Sequence, residues 1–242
     1  MLMKMNDIVI NSVKYASSTW LKLVLIGLVV FIADLSDVTI RVGSFDLSYI
    51  LLGAGFILGI YQIGFIFRII EETTHGFDEM PKFDNFLNTF LHGIKETLVT
   101  MIYFIIPIML VIIGVYIVDD LIGSSSQELE IVMITFGIFL ASITFLIYQA
   151  SILNMANNHG SIKSAFDFKR IFKKVKDIGF KRTGFMYLLI VVLVLIVEST
   201  LHDTVVNNPF DLWSIISALV VIPFILIFTA RVLGLINRAL DR

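Results

Sequence analysis

Residues 131–153 read IVMITFGIFLASITFLIYQASIL, 23 positions without a lysine, arginine, aspartate or glutamate. A helix needs roughly 20 apolar residues to cross a hydrocarbon layer of about 30 Å, so this stretch reads as a membrane span. Leu47–Phe67, Thr97–Val118 and Leu212–Ala230 pass the same test. Two shorter runs, Leu23–Ala33 and Gly184–Val197, are bounded by Lys22 and Asp34 and by Arg182 and Glu198. They reach spanning length when Lys22 and Arg182 extend their charged ends to the headgroups. Composition agrees. The 242 residues are 57% hydrophobic and 16% charged, against about 25% charged in soluble domains. This excludes a disordered chain and a nucleic-acid binder and weighs against a soluble enzyme. The absence of cysteine excludes disulfides, thiol nucleophiles and thiolate metal sites.

Charge fixes the expected orientation. With six spans, 17 of the 18 basic residues fall on one side, and Arg41 is the exception. The densest loop, between spans four and five, carries Lys163, Lys169, Arg170, Lys173, Lys174, Lys176, Lys181 and Arg182. Basic loops are cytoplasmic, which predicts a multi-pass protein of the cell membrane with both termini in the cytoplasm. No small-x-small cleavage pattern follows the first apolar run, so it is expected to be retained as a span.

The chain also divides into similar thirds, 1–72, 73–157 and 158–242, within a single membrane domain over 1–242. Phe83, Phe86, Leu87, Phe90, Leu91 and Ile94 recur at helical spacing ahead of span three. Ile162, Ala165, Phe166, Ile171, Phe172, Val175 and Ile178 do so ahead of span five, bordered by lysines. A fainter stripe, Met5, Ile8, Val9, Val13 and Trp20, precedes span one. Asp7, Asp84 and Asp167 stand near the start of each stripe, and Tyr61-Gln62 matches Tyr148-Gln149 in the returning spans. The expected fold is therefore all-α and integral to the membrane. Six transmembrane helices form three tandem hairpins, each preceded by an amphipathic interfacial helix.

Gly59, Tyr61 and Arg68, then Pro81 and Phe83-Asp84-Asn85-Phe86, then Gly93 and Tyr103 to Pro107 carry a resemblance. In these residues the chain resembles a polytopic membrane family catalogued as domain of unknown function 4013, found mainly in archaea and some bacteria. The resemblance implies a multi-pass membrane protein of no established activity, with no catalytic residues to carry over.

Chemistry-bearing motifs are few. No nucleophile, phosphate-binding or dinucleotide motif appears, and Gly123-Ser124-Ser125-Ser126 reads as a turn. His75, His92, His159 and His202 show no close ligand spacing, although the first three share a predicted side with Glu71, Glu72, Asp78 and Glu79. No catalytic constellation, metal site or cofactor is expected. Glu198 and Arg231 read as anchors at span ends, within reach of water or headgroups. Gln62, Tyr103, Gln149 and Asn154 are candidates for lining a solute path, or for hydrogen-bonding between helices at about 0.6 kcal/mol each. Gly55 and Gly59 form a G-x-x-x-G suited to close helix packing, while Pro107 and Pro223 are expected to kink spans three and six.

These features support a non-enzymatic module that organises or senses the cytoplasmic leaflet. Lys163, Lys169, Arg170, Lys173, Lys174 and Lys176 would contact anionic lipid, each basic residue contributing about 1 kcal/mol near such a surface. Membrane lipids are the expected partners, with a second copy or another membrane protein as further candidates. The alternative is a small-solute transporter or permease.

Overall fold

The computed structural model describes residues 4–42, 45–122, 127–179, 182, 184–185, 188–189, 191–193 and 211–240. Among them the chain is all-α, with no strand. Its main helices are α1 (Met5–Ser17), α2 (Trp20–Val42), α3 (Phe45–Thr74), α4 (Phe86–Ile122), α5 (Gln127–Asn157) and α6 (Phe168–Ile178). The last, α7, runs over Leu212–Arg238.

Among the described residues four segments are long and apolar enough to cross a membrane: Tyr49–Thr74, Phe86–Tyr116, Ile131–Asn157 and Leu212–Arg238. They contain most of each of the four uncharged windows, extended at the basic end by one or more turns. The run Leu23–Ala33 lies in α2, whose first part passes the same test only together with α1, across an 80° bend. That bend lays α1 across the end of the bundle, where it packs on α7. Gly184–Val197 lies largely outside the described residues, as do Glu198 and His202.

The outward surfaces are what lipid demands. Met101, Ile102, Ile105 and Ile106 on α4 and Ile134, Ile138 and Phe139 on α5 are exposed. Half of the most apolar window of α7 is buried but only 6% of that of α5, which makes α7 the inner helix and α5 a peripheral one.

Two expectations need correction. The stripe from Phe83 to Lys95 does not form a separate surface helix: its residues from Phe86 onward are the first turns of the continuous helix α4. Its burial is also inverted. Phe86, Leu87 and Leu91 are exposed, while Thr89, His92, Gly93 and Glu96 face the bundle. Among lipid tails an apolar side chain gains nothing by turning inward, so the interior takes the small and polar residues instead. The cap of α4 is not the aspartate near the start of the stripe. The Asn85 Oδ1 atom accepts from the Asn88 amide at 3.2 Å, and Asp84 instead pairs with Arg68 at 3.7 Å. In α6, by contrast, the aspartate near the start of the stripe does cap: Asp167 accepts from the Arg170 amide.

The two prolines are absorbed differently. Pro107 sits inside α4. Pro223 opens the last α-helical stretch of α7, directly after a π-helical turn over Ser217–Val221. The wider turn there accommodates a residue that has no amide proton to donate.

Candidate functional site

Polar chemistry concentrates at the basic end of the bundle, where α3, α5 and α7 finish. Asn237, fully buried, donates to Thr74 Oγ1 at 3.1 Å, to Asn157 Oδ1 at 2.7 Å and to the Leu153 carbonyl at 3.3 Å. Its own carbonyl oxygen accepts from Lys174 Nζ at 2.6 Å. One amide thus ties the ends of three long helices to α6.

Arg231 lies just under two turns back on α7 and is only 1% exposed. Its guanidinium donates to Asp78 Oδ1 at 2.6 Å, Thr73 Oγ1 at 3.0 Å, the Phe77 carbonyl at 2.9 Å and Asn11 Oδ1 at 3.1 Å. It also rests 4.4 Å from the centre of the Tyr15 ring. The expectation of an anchor open to water or headgroups is therefore corrected: the cation is enclosed by α1, the turn after α3, and α7. A buried charge persists only when paired and hydrogen-bonded, and here every face is used. Arg68 on α3 repeats the arrangement at the start of α4, donating to Glu72, Thr89 and the Lys82 carbonyl.

The basic residues of α6 divide by face. Ile171 and Ile178 are buried against the bundle, while Lys169, Arg170, Lys173 and Lys176 are exposed. Lys163 is exposed in the preceding 3-10 turn, Ile162–Phe166, and Lys174 is committed to Asn237. Phe168 and Phe172 stand exposed beside the buried seam. A cavity of about 180 Å³ is lined by Asn154, Arg170, Lys173, Lys174, Asp177 and Leu240.

The four span polar residues separate into different roles. Tyr103 donates to the Ala165 carbonyl and Asn154 to the Ser164 carbonyl, both at 2.7 Å, so these two hold the turn that launches α6. Gln62 is part-buried on α3. Only Gln149 faces a large internal space. This second cavity, of about 380 Å³, lies between α3, α4, α5 and α7 with Leu193 on its wall, and is otherwise mainly apolar. Glu96 and Tyr148 line it with Gln149. Tyr148 donates to Glu96 Oε1 at 3.4 Å, whereas Glu96 Oε2 and both amide atoms of Gln149 are buried without a protein partner. Glu96 stands one position outside the uncharged window Thr97–Val118 and so is not marked by the absence of charge. The spacing of Thr89, His92, Gly93 and Glu96, a polar or small residue every three or four positions, is the signal that finds it.

A family model described as "Protein of unknown function (DUF4013)" matches residues 47–234, most of the chain. The chain belongs to this family. The DUF4013 match takes in α3, α4, α5, α6 and most of α7, including Arg68, Glu96, Gln149, the α6 lysines and Arg231. Over 170 residues the chain is 28% identical to an uncharacterised protein, MJ1189, of Methanocaldococcus jannaschii, an overlap covering 66% of this chain and 53% of that protein. The chain therefore spans about half the length of the curated relative it matches. No solved structure matches this DUF4013 chain.

Proposed function

We propose that this DUF4013 protein is a non-enzymatic, multi-pass membrane module that engages the anionic cytoplasmic leaflet through α6. The supporting observation is the division of that helix. Its buried seam fastens it to α5, exposed Phe168 and Phe172 lie alongside the seam, and Lys169, Lys173 and Lys176 form the next row. Aromatic residues beside a lysine border suit a helix lying in the headgroup region. The cavity bounded by Arg170, Lys173 and Lys174 has the size and charge to take a phosphate group. The tandem-hairpin reading has parallel support. The end of α3 docks on the start of α4, α5 on the turn before α6, and α7 on α1, so each returning helix meets an opening segment.

Replacing Lys169, Arg170, Lys173 and Lys176 together by glutamine leaves the Lys174–Asn237 bond in place. With about 1 kcal/mol per basic residue, the preference of reconstituted protein for spin-labelled anionic over zwitterionic lipid should fall at least tenfold. An unchanged preference ends the lipid reading.

A second reading, passage of a small amphiphilic solute, is favoured by the 380 Å³ cavity with Glu96 and Gln149 on an apolar wall. Its volume lies in the range of ligand pockets, about 300–1,000 Å³. On this reading a fluorescent alkylamine leaves proteoliposomes faster than protein-free vesicles, and Gln149→Leu removes the difference. Equal release from both vesicle types discards it.

A further inference from the structure

We propose that Glu71, His75 and His159 form a binding site for a divalent transition metal of the zinc class at the basic end of the bundle, independent of the lipid contacts. Glu71 and His75 are one turn apart at the end of α3, and His159 projects from the turn that follows α5. The fold thus brings together residues 84 positions apart, and one ligand atom from each of the three side chains lies within 4.8 Å of the others.

The contact that favours coordination is the one that orients His75. The His75 Nδ1 atom is 2.9 Å from the Glu71 backbone carbonyl. With Nδ1 donating there, Nε2 presents its lone pair outward, the arrangement by which metal-bound histidines are usually oriented. The two imidazole rings stack 4.7 Å apart and nearly parallel, 9° between planes, so the His159 ring must turn out of the stack for both lone pairs to converge on one ion. The His159 Nδ1 atom is 3.8 Å from Glu71 Oε1. Two ligands on one tetrahedral zinc, with bonds of about 2.0–2.2 Å, stand about 3.4 Å apart, so the His159–Glu71 pair closes by a few tenths of an ångström and the pairs with His75, within 4.8 Å, by up to roughly 1.4 Å. The His159 side chain is 82% exposed and free to make that adjustment. Glu71 is mostly buried and supplies the fixed corner.

The donor set decides the metal. Two imidazoles and one carboxylate suit zinc and its neighbours, whereas magnesium and calcium take oxygen ligands. Three protein ligands leave a coordination position for water.

The position gives the metal a mechanical consequence. His159 and Gly160 both have positive φ, 52° and 68°, and the chain runs from them into the 3-10 turn and α6. A metal bridging α3 to this turn fixes the root of the basic helix.

The test uses full-length protein in detergent, purified without a polyhistidine tag. Zinc is titrated by calorimetry, with magnesium as control, and hydrogen exchange of 161–178 is followed in parallel. His159→Asn is the informative variant, because asparagine adopts the left-handed backbone readily and so keeps the turn. His75→Gln is the second. The expected result is one zinc per chain, no magnesium binding, and slower exchange of 161–178 with zinc. Each variant should weaken zinc at least about 10-fold, the lower end of what loss of even an outer-shell partner costs. Unchanged affinity in both variants, or zinc binding that leaves exchange of 161–178 untouched in the parent protein, overturns the proposal.

Discussion

Replacing Asp78 by alanine is expected to destabilise the folded protein by about 3 kcal/mol, more than replacing the fully buried Arg231 by methionine. The asymmetry follows from where each partner's charge is left. Breaking a buried ion pair costs about 3–5 kcal/mol because an uncompensated charge stays in the interior. The Asp78 side chain is 67% exposed, and that screening places the figure at the lower end. Without Asp78, Arg231 stays enclosed, and Arg238, now 3.0 Å from the same carboxylate, faces it as a second cation. Without Arg231, by contrast, Asn11, Phe77 and Asp78 are all at exposed positions where water replaces the lost donors. Only Thr73 remains buried, and its hydroxyl can reorient. Denaturant unfolding of Asp78→Ala, Arg231→Met and the double variant in micelles checks this. The double variant should lose less than the sum of the two, since the second change removes the stranded charge. A costlier Arg231→Met would mean that packing outweighs charge compensation at this site.

The same pair sets an acid limit. The hydrogen bond from Arg231 holds the Asp78 carboxyl below the usual carboxylate range, against the opposing effect of desolvation and with help from Arg238. A carboxylate whose folded pKa is depressed stabilises fully above its unfolded value of about 3.9 and loses that contribution as pH falls through the folded value. Asp78→Asn should therefore flatten the fall in stability below about pH 4.

How much of this was legible in the sequence depends on which solvent each residue meets. The four uncharged windows could be read directly, because an absence of charge over 19 or more residues has one economical explanation. The face each helix turns inward could not. Sequence periodicity marks the Phe86–Leu91 stripe as apolar, but a soluble helix buries such a stripe and a lipid-facing helix exposes it. The same inversion hid Glu96. Arg231 and Asn237 escaped for another reason: their partners are 153 to 163 positions away for Asp78 and Thr74, and nothing local marks the pairing. His75 and His159 share a predicted side in the sequence, but only the docking of α3 on α5 brings their rings together. The exposure of Lys169, Lys173 and Lys176 and the Asp167 cap were legible because both depend on spacing within one helix, whereas Lys174, bonded to Asn237 63 positions away, was not.

Glycine spacing gives the second large effect. The G-x-x-x-G of Gly55 and Gly59 marks α3 for close packing, but a Cβ built on Gly59 meets no atom within 4 Å. The close approach is one turn further on. A Cβ on Gly64 would strike the Thr89 carbonyl oxygen of α4, and one on Gly93 would strike the Ile60 carbonyl oxygen of α3. Both obstacles are backbone, so no side-chain rotation relieves them and the helices must part. Overpacking costs about 1–3 kcal/mol where side chains can yield, and a backbone clash belongs at or above the upper end. Parting α3 from α4 also pulls Arg68 from Thr89, at 3.0 Å, and from Asp84. Gly64→Ala and Gly93→Ala should each lose about 3 kcal/mol or more. Gly59→Ala, five positions earlier on the same helix, should gain up to about 1 kcal/mol from helix propensity alone. Unfolding in micelles followed by helical circular dichroism distinguishes the signs. Equal effects at Gly59 and Gly64 would show that α3 and α4 do not meet through this pair of glycines.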